Sequence, residues 1–246
     1  MGPSNIILES IDLTLGSTRI LHHLDLHLSK GIHCLLGPNG AGKTMTNRLL
    51  ALVEEVTAGH LYWDEEVVNP YPPAKLEYIR KIGYMRQTPV FVKGTVATNL
   101  LLPLRFRGLS DEIQQSRLAD ATVEFDLVSI ADQPVSELST GQRQRVALAR
   151  TLITKPDLII LDEPTASLDM TTTRWFESHI TDLIAMSPVI VVWTTHDQFQ
   201  AKRIASSCSI IINGKIRATG SVQQVLLQQS DPDLRAYLSG ELVEFD

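Results

Sequence analysis

Two cysteines in 246 residues, Cys34 and Cys208, are too few for a disulfide framework. Both lie in apolar, strand-like runs, so they read as buried thiols of a reducing compartment and not as a metal pair. Basic residues are scarce as well: 22 Lys and Arg stand against 28 Asp and Glu, a formal net charge of −6. That deficit argues against a nucleic-acid binder, which needs cationic surplus to neutralise phosphates. The two small basic clusters, LRFRG (104–108) and QRQR (142–145), read as solvated helix surface. No apolar stretch approaches the roughly 20 residues of a spanning helix; PVIVVW (188–193) is among the longest. The opening MGPSNIILES has neither the basic region nor the apolar run of a secretory signal. The residues after Gly2 do not fit a myristoylation site. The chain is therefore expected not to cross a membrane by itself.

What is present is apolar substance and order. At 43% hydrophobic residues the chain can bury the core of one large domain, or of one domain with an insertion. IILESIDLTL (6–15) and ILHHLDLHL (20–28) alternate apolar and polar residues, the pattern of half-buried strands, with turns at Gly16-Ser17 and Lys30-Gly31. The histidines His22, His23, His27 and His33 read as surface or strand-face groups. IHCLLG (32–37), DLIILD (157–162) and PVIVVWTT (188–195) are unbroken apolar runs, as in central parallel strands. KIGYMRQ (81–87) is a shorter strand ending at Gln87. Helical patterns follow Gly42, cover roughly 141–153, and recur after Asp162. CSIIINGKIRATG (208–220) reads as a strand pair turning at Asn213-Gly214. Between about 95 and 133 strand signals are few, and DEIQQSRLADATVEFDLV (111–128) has helical spacing. The predicted fold class is α/β: a mostly parallel sheet flanked by helices, an N-terminal antiparallel β subdomain and an inserted α-helical subdomain.

GPNGAGKT (37–44) fits G-x-x-x-x-G-K-[ST] and lies between a predicted strand and a predicted helix. The glycines let backbone N–H groups close around a phosphate, Lys43 adds a point charge, and the Thr44 hydroxyl can ligate Mg²⁺. Gly37, Pro38, Asn39, Gly40, Ala41, Gly42, Lys43 and Thr44 are therefore expected to hold a nucleoside triphosphate. LIILDEP (158–164) puts Asp162 at the end of a buried strand, within reach of the metal. Glu163 follows it, where a carboxylate can orient or deprotonate an attacking water. TKPD (154–157) superficially matches the guanine-reading [NT]-K-x-D pattern, but it precedes Asp162 instead of following it and reads as a turn. A second stretch, VSELSTGQRQR (135–145), also sets small turn-forming residues before a helix. Helix N-termini attract anions, so the chain carries two cradles where one nucleotide needs one.

Taken together these residues resemble the ATP-binding cassette (ABC) family, the ATPase subunits of ABC transporters, over nearly the whole chain. In the family's order, GPNGAGKT is similar to the phosphate loop, Gln87 to the Q-loop glutamine, and LSTGQ (138–142) to the signature motif. LIILDE resembles the Walker B strand with its catalytic Glu163, SLD (167–169) the D-loop, and His196 in WTTHD the switch histidine. The resemblance implies a P-loop NTPase core using ATP and Mg²⁺, with Glu163, His196, Lys43 and Gln87 catalytic and Thr44, Gln87 and Asp162 at the metal. It implies a head-to-tail dimer in which each ATP is sandwiched between one subunit's phosphate loop and the other's signature. The second cradle then serves the partner's nucleotide through Ser139, Gly141 and Gln142, with Asp169 of the D-loop beside it. Gln87 would sense the metal or the lytic water and transmit the nucleotide state to a membrane partner. His196 would hold the γ-phosphate, so that its loss costs turnover more than binding. The implied layout is one ABC ATPase domain over 1–246: an α/β core from 1–87 and 146–225, a helical subdomain at 88–145, and a tail at 226–246.

Three positions depart from the family pattern. Thr140 stands where Gly is usual, which is harmless in a helical backbone and strained at positive φ. Leu15 falls near the position of the aromatic residue that stacks on adenine, leaving apolar contact alone for the base. Met45, counted with the nucleotide-binding residues, stands where a second Thr is common. RQTPVFVKGTVATNLLLPLRFRG (86–108) and YLSGELV (237–243) resemble oxyanion importers, tungstate-type first, then phosphate, sulfate or molybdate. The chain is expected to do without the long C-terminal regulatory domain of sugar and some molybdate importer ATPases. The expected role is peripheral, at the cytoplasmic face of the cell membrane, with a separate permease and a solute-binding protein and without nucleic acid. An exporter ATPase for metal ions or lipids is an alternative reading. A cassette acting on ribosomes or DNA is another, although such chains typically carry two cassettes or a long coiled-coil insertion.

Overall fold

The alternating and the unbroken apolar segments fold into two different sheets. The computed structural model describes residues 2–68, 76–227 and 231–240. In chain order it contains β1 (Asn5–Leu15), β2 (Thr18–Ser29), β3 (Gly31–Leu36), α1 (Lys43–Leu50), β4 (Ala58–Trp63), β5 (Glu66–Val67) and α2 (Leu76–Ile79). There follow β6 (Ile82–Met85), α3 (Val96–Phe106), α4 (Asp111–Glu124), α5 (Thr140–Leu152), β7 (Leu158–Asp162) and α6 (Met170–Met186). The last elements are β8 (Ile190–Thr195), α7 (Gln198–Ile204), β9 (Ser207–Ile212), β10 (Lys215–Ser221), α8 (Val222–Leu227) and α9 (Pro232–Ser239). Of the tail at 226–246, residues 228–230 and 241–246 lie outside the described residues, and with them the end of YLSGELV.

The first sheet has the order β2-β1-β4-β5 and is antiparallel. Ile6 pairs with Leu28 and Leu8 with Leu26, so the apolar residues of the hairpin share one face and are buried there. The second sheet has the order β10-β9-β3-β8-β7-β6, parallel except for the edge strand β10. Its central strands are buried on both faces. Cys34, Leu36, Ile159, Leu161, Val191 and Trp193 belong to one core, packed with residues of α3, α5 and α6. Leu35, Leu158, Ile160, Ile190 and Val192 belong to the other, packed with β1, β2 and α1. A strand with a core on each side has no polar face, which is why its sequence shows no alternation.

Residues between β6 and β7 hold α3, α4 and α5. The base of this segment is closed by backbone bonds from Val96 N to Gln133 O (3.0 Å) and from Val135 N to Gly94 O (3.0 Å). Asn213 (φ 48°) and Gly214 (φ 70°) make the expected tight turn between β9 and β10. The thiols of Cys34 and Cys208 are free and face each other in the β3–β9 register; burial raises both, Cys208 to about 12. His33 is a core group, not a surface one: its ring nitrogens meet Ser207 Oγ and Ser209 Oγ, each at 3.0 Å. Strands β4 and β5 were not legible in the sequence, because Thr57-Ala58-Gly59 reads only as a helix breaker.

Candidate nucleotide site

Because β3, β6, β7 and β8 run parallel, the residues that follow them emerge at one edge of the sheet. That edge collects Gly37 after β3, Gln87 beyond β6, Glu163 after β7 and His196 after β8. Gly37 has φ 153° and packs so closely that a Cβ would sit 2.2 Å from Ile211 O. Gly42 (φ 109°) enters α1 without any side-chain cap, leaving the helix N–H groups open. Lys43 is 6% exposed; its Nζ donates to Gly37 O (2.8 Å) and Pro38 O (2.9 Å) and lies 3.4 Å from Glu163 Oε1. Burial lowers the Lys43 ammonium below its usual range, opposed by the Glu163 and Asp162 carboxylates. A buried cation at an uncapped helix start suits a polyphosphate. Asn39 and Gly40 are exposed, Ala41 O accepts from Gly214 N (2.9 Å), and Met45 packs half-buried against the core.

Asp162 is buried. Its Oδ1 accepts from Thr194 Oγ1 (2.8 Å) and Asn47 Nδ2 (3.0 Å), while among the described residues Oδ2 has only Tyr84 OH at 3.4 Å. Burial, then the Asp162 charge, pushes the Tyr84 phenol up to about 12. Among the described residues the exposed Thr44 hydroxyl has no hydrogen-bond partner. Thr44, Asp162 and Gln87 line one cavity of about 390 Å³. A hydroxyl, a carboxylate oxygen with spare capacity and an amide oxygen are hard donors, and they fit Mg²⁺.

Glu163 has a left-handed backbone, φ 44°, which costs a non-glycine residue of order 1–2 kcal/mol. Its N–H donates to Thr194 Oγ1 (2.8 Å), so one threonine holds both Asp162 and Glu163. The Glu163 carboxylate accepts from Gln87 Nε2 (3.2 Å), and His196 Nδ1 lies 4.0 Å away. Of the four residues expected to be catalytic, Lys43, Gln87 and His196 therefore converge on the carboxylate of the fourth, Glu163. The Gln87 carbonyl in turn accepts from Gln144 Nε2 of α5 (3.1 Å). Sequence reading missed Thr194, Asn47 and Tyr84. The two threonines closing an otherwise apolar β8 were the one available signal.

Ser139 caps α5 in a reciprocal box: its Oγ accepts from Gln142 N (3.3 Å) and Gln142 Oε1 accepts from Ser139 N (2.9 Å). Thr140 is the first residue of the helix and is not among the residues with positive φ, so a β-branched side chain is unstrained there. The box leaves the N–H groups of Thr140 and Gly141 open. Among the described residues no hydrogen bond or ion pair joins Ser139, Gly141 or Gln142 to residues 37–45. Asp169 caps α6, accepting from Thr172 N (2.9 Å) and Thr172 Oγ1 (3.0 Å), bonds that hold its carboxyl below the usual range.

A glycine loop between a central parallel strand and a helix, with an Asp-Glu pair at the end of the adjoining strand series, defines a P-loop NTPase of α/β architecture. A family model described as "ABC transporter" matches residues 21–166, more than half of the chain. The chain is 32% identical over 236 residues to the sulfate/thiosulfate import ATP-binding protein CysA of Nephroselmis olivacea, covering 95% of this chain and 68% of that one. It is 30% identical over 243 residues to the Fe(3+) ions import ATP-binding protein FbpC 1 of Haemophilus influenzae, covering 98% and 73%. CbiO1 from Clostridium perfringens, described as part of the ABC transporter complex cbiONQ, superposes with a TM-score of 0.83 at 20% identity, covering 93% and 92%. The ADP form of the cassette MJ1267 does so with 0.80 at 24% identity, covering 98% and 100%. The chain belongs to the ABC transporter family, as one of its ATP-binding, ATP-hydrolysing, transport-coupled subunits. No helix among the described residues is long and apolar enough to cross a membrane.

Proposed function

We propose that this chain is the ATPase subunit of an ABC importer, working at the cytoplasmic face of the cell membrane through a separate permease. The observation that carries the chemistry is the convergence of Lys43, Gln87 and His196 on Glu163. In this reading the loop at 37–45 and Lys43 hold the phosphates, and Thr44, Gln87 and Asp162 hold Mg²⁺. Bound ATP with Mg²⁺ supplies the transferable γ-phosphoryl and neutralises its charge. Glu163, aimed by the Gln87 amide and the Lys43 ammonium, takes the proton of the attacking water. His196, largely exposed beside it, holds the phosphoryl side. Two copies pair head to tail, so that Ser139, Gly141, Gln142 and Asp169 complete the partner's nucleotide site. The open Thr140 and Gly141 amides, which find no anion among the described residues, support this reading. The chain works as one domain, core 1–87 and 146–225, with 88–145 as the helical arm that carries the signature and 226–246 as a tail.

The solute is proposed as an oxyanion, tungstate-type first. Support comes from the resemblance of 86–108 and from a relative described as a sulfate/thiosulfate import protein. The test has two arms. Glu163→Gln with ATP and Mg²⁺ is expected to trap a dimer by light scattering, with hydrolysis about 10³-fold slower; a variant that hydrolyses at the parent rate overturns the site. Metal and anion uptake by cells with and without the chain then reads the solute, and an unchanged uptake of tungstate, phosphate, sulfate and molybdate overturns the oxyanion assignment.

A further inference from the structure

Behind Glu163 and His196 lies a buried polar junction that the nucleotide chemistry does not use. Gln200, on α7, is 3% exposed, yet every hydrogen-bonding position of its amide except the second lone pair of Oε1 is filled. Oε1 accepts from Trp193 Nε1 (3.2 Å). Nε2 donates to Thr165 Oγ1 (3.0 Å) and to Glu177 Oε1 (3.0 Å). Each partner belongs to a different part of the site. Thr165 lies two residues beyond Glu163, Trp193 three residues before His196, and Gln200 itself four residues after His196. Glu177 is on α6, the helix that Asp169 caps.

Glu177 cannot drift, because Arg203 holds both of its oxygens, Nε on Oε2 (3.1 Å) and Nη2 on Oε1 (2.7 Å). Burial raises the Glu177 carboxyl, but the bonds from Arg203 and Gln200 outweigh it and keep the group ionised. One amide thus ties the segment carrying Glu163, the strand and loop carrying His196, and the helix behind the D-loop. Glu163, Thr165, His196, Gln200 and Arg203 line a common cavity of about 310 Å³.

We propose that Gln200 is a positioning residue for hydrolysis: its amide sets the distance between the Glu163 segment and the His196 loop. The inference rests on the roles given above to Glu163 and His196. A buried amide in place of a simple apolar contact is what such a task requires, since three directional bonds fix three segments at once. Slippage of these loops by a fraction of an ångström alters the Glu163–His196 pair, whereas the phosphate loop, which shares no bond with Gln200, keeps its shape.

Three variants test this, each measured for ATP affinity by calorimetry, for bound nucleotide per chain, and for kcat. Thr165→Val, which removes only the tie to the Glu163 segment, is expected to lower kcat about fivefold with the dissociation constant unchanged within twofold. Gln200→Glu sets two carboxylates against each other and is expected to lower kcat by about 30-fold. Gln200→Met, which keeps the bulk and drops all three bonds, is expected to lower kcat by about tenfold with bound nucleotide unchanged. A folded Thr165→Val that turns over at the parent rate overturns the proposal, as does a loss of kcat matched by an equal loss of bound nucleotide, and as does a folded Gln200→Met with the parent kcat. Glu163→Gln run alongside separates the two levels. Should it hydrolyse normally, the site reading fails; should it be inactive while the Thr165 and Gln200 variants are not, only the role of Gln200 fails.

Discussion

Helices α1 and α5 both begin with open N–H groups, and they arrive there by opposite means. The start of α1 is built from backbone: Gly37, Gly40 and Gly42 all have positive φ, the cap has no side chain, and a buried ammonium fills the loop. The start of α5 is built from side chains: Ser139 and Gln142 cap each other, the backbone is ordinary, and Ser139 and Thr140 are exposed. A cradle made of strained backbone tolerates no Cβ at its crowded glycines, Gly37 and Gly42. A cradle made of a capping box tolerates one. This difference explains why GPNGAGKT keeps to its pattern while LSTGQ carries a threonine without penalty.

The sharpest way to break the contrast is to place the same methyl group at both. Gly37→Ala is expected to abolish ATP binding, by 100-fold or more in dissociation constant, because its Cβ would lie 2.2 Å from the Ile211 carbonyl. Gly141→Ala has 3.8 Å to its nearest neighbour, Thr172, and a helical backbone; it is expected to keep monomer ATP binding and to raise stability by up to about 1 kcal/mol. Calorimetry and thermal unfolding read both. Equal effects at the two glycines would remove the distinction.

Mild acid should act first on the root of the first cradle. His33 lies on β3, the strand that delivers the phosphate loop, and burial lowers its pKa from 6.5 to about 4. Its folded pKa is depressed, so its stabilising share is complete above pH 6.5 and is lost as pH falls from there toward 4. The loss is expected to reach roughly 3 kcal/mol near pH 4. Denaturant unfolding of the parent and of His33→Gln at pH 7 and at pH 4.5 checks it, the variant showing the flatter dependence.

A smaller effect concerns the base. Leu15, at the end of β1, is 40% exposed and offers only apolar contact. Leu15→Tyr is expected to tighten ATP about fivefold, the worth of one aromatic stacking contact near 1 kcal/mol. GTP should tighten by a similar factor, since guanine presents the same π-face, and an unchanged affinity for both nucleotides would remove the role of this position. The smallest effect belongs to Thr140→Gly. ATP turnover should stay within about twofold, and stability should fall by at most about 1 kcal/mol from the helix propensity lost. A large gain in turnover would mean that the threonine does hinder the second cradle.

Legibility followed locality. The phosphate loop, the LIILDE strand and the Asn213-Gly214 turn are contiguous, and each is specified by residues within one turn or strand of itself. Strands β4 and β5 were not, since AGHLYW and Glu66-Val67 acquire their sense only by pairing with β1 and with each other. Thr194 escaped notice because its role depends on β7 lying beside β8. The junction at Gln200 escaped for the same reason, its partners being 35, 23 and 7 residues away.

By itself the sequence determined the chemistry on offer: a glycine loop with a lysine, an Asp-Glu pair, a glutamine, a histidine and a second helix start. It determined the sheet's double burial too, since unbroken apolar strands can be satisfied only between two cores. Only the tertiary structure decided that Lys43, Gln87 and His196 meet at Glu163, that Thr140 is helical, and that His33 is a core group. These are long-range facts. They depend on which strands are neighbours, and strand order is set by the packing of both cores together, a quantity that no local spacing in the chain encodes.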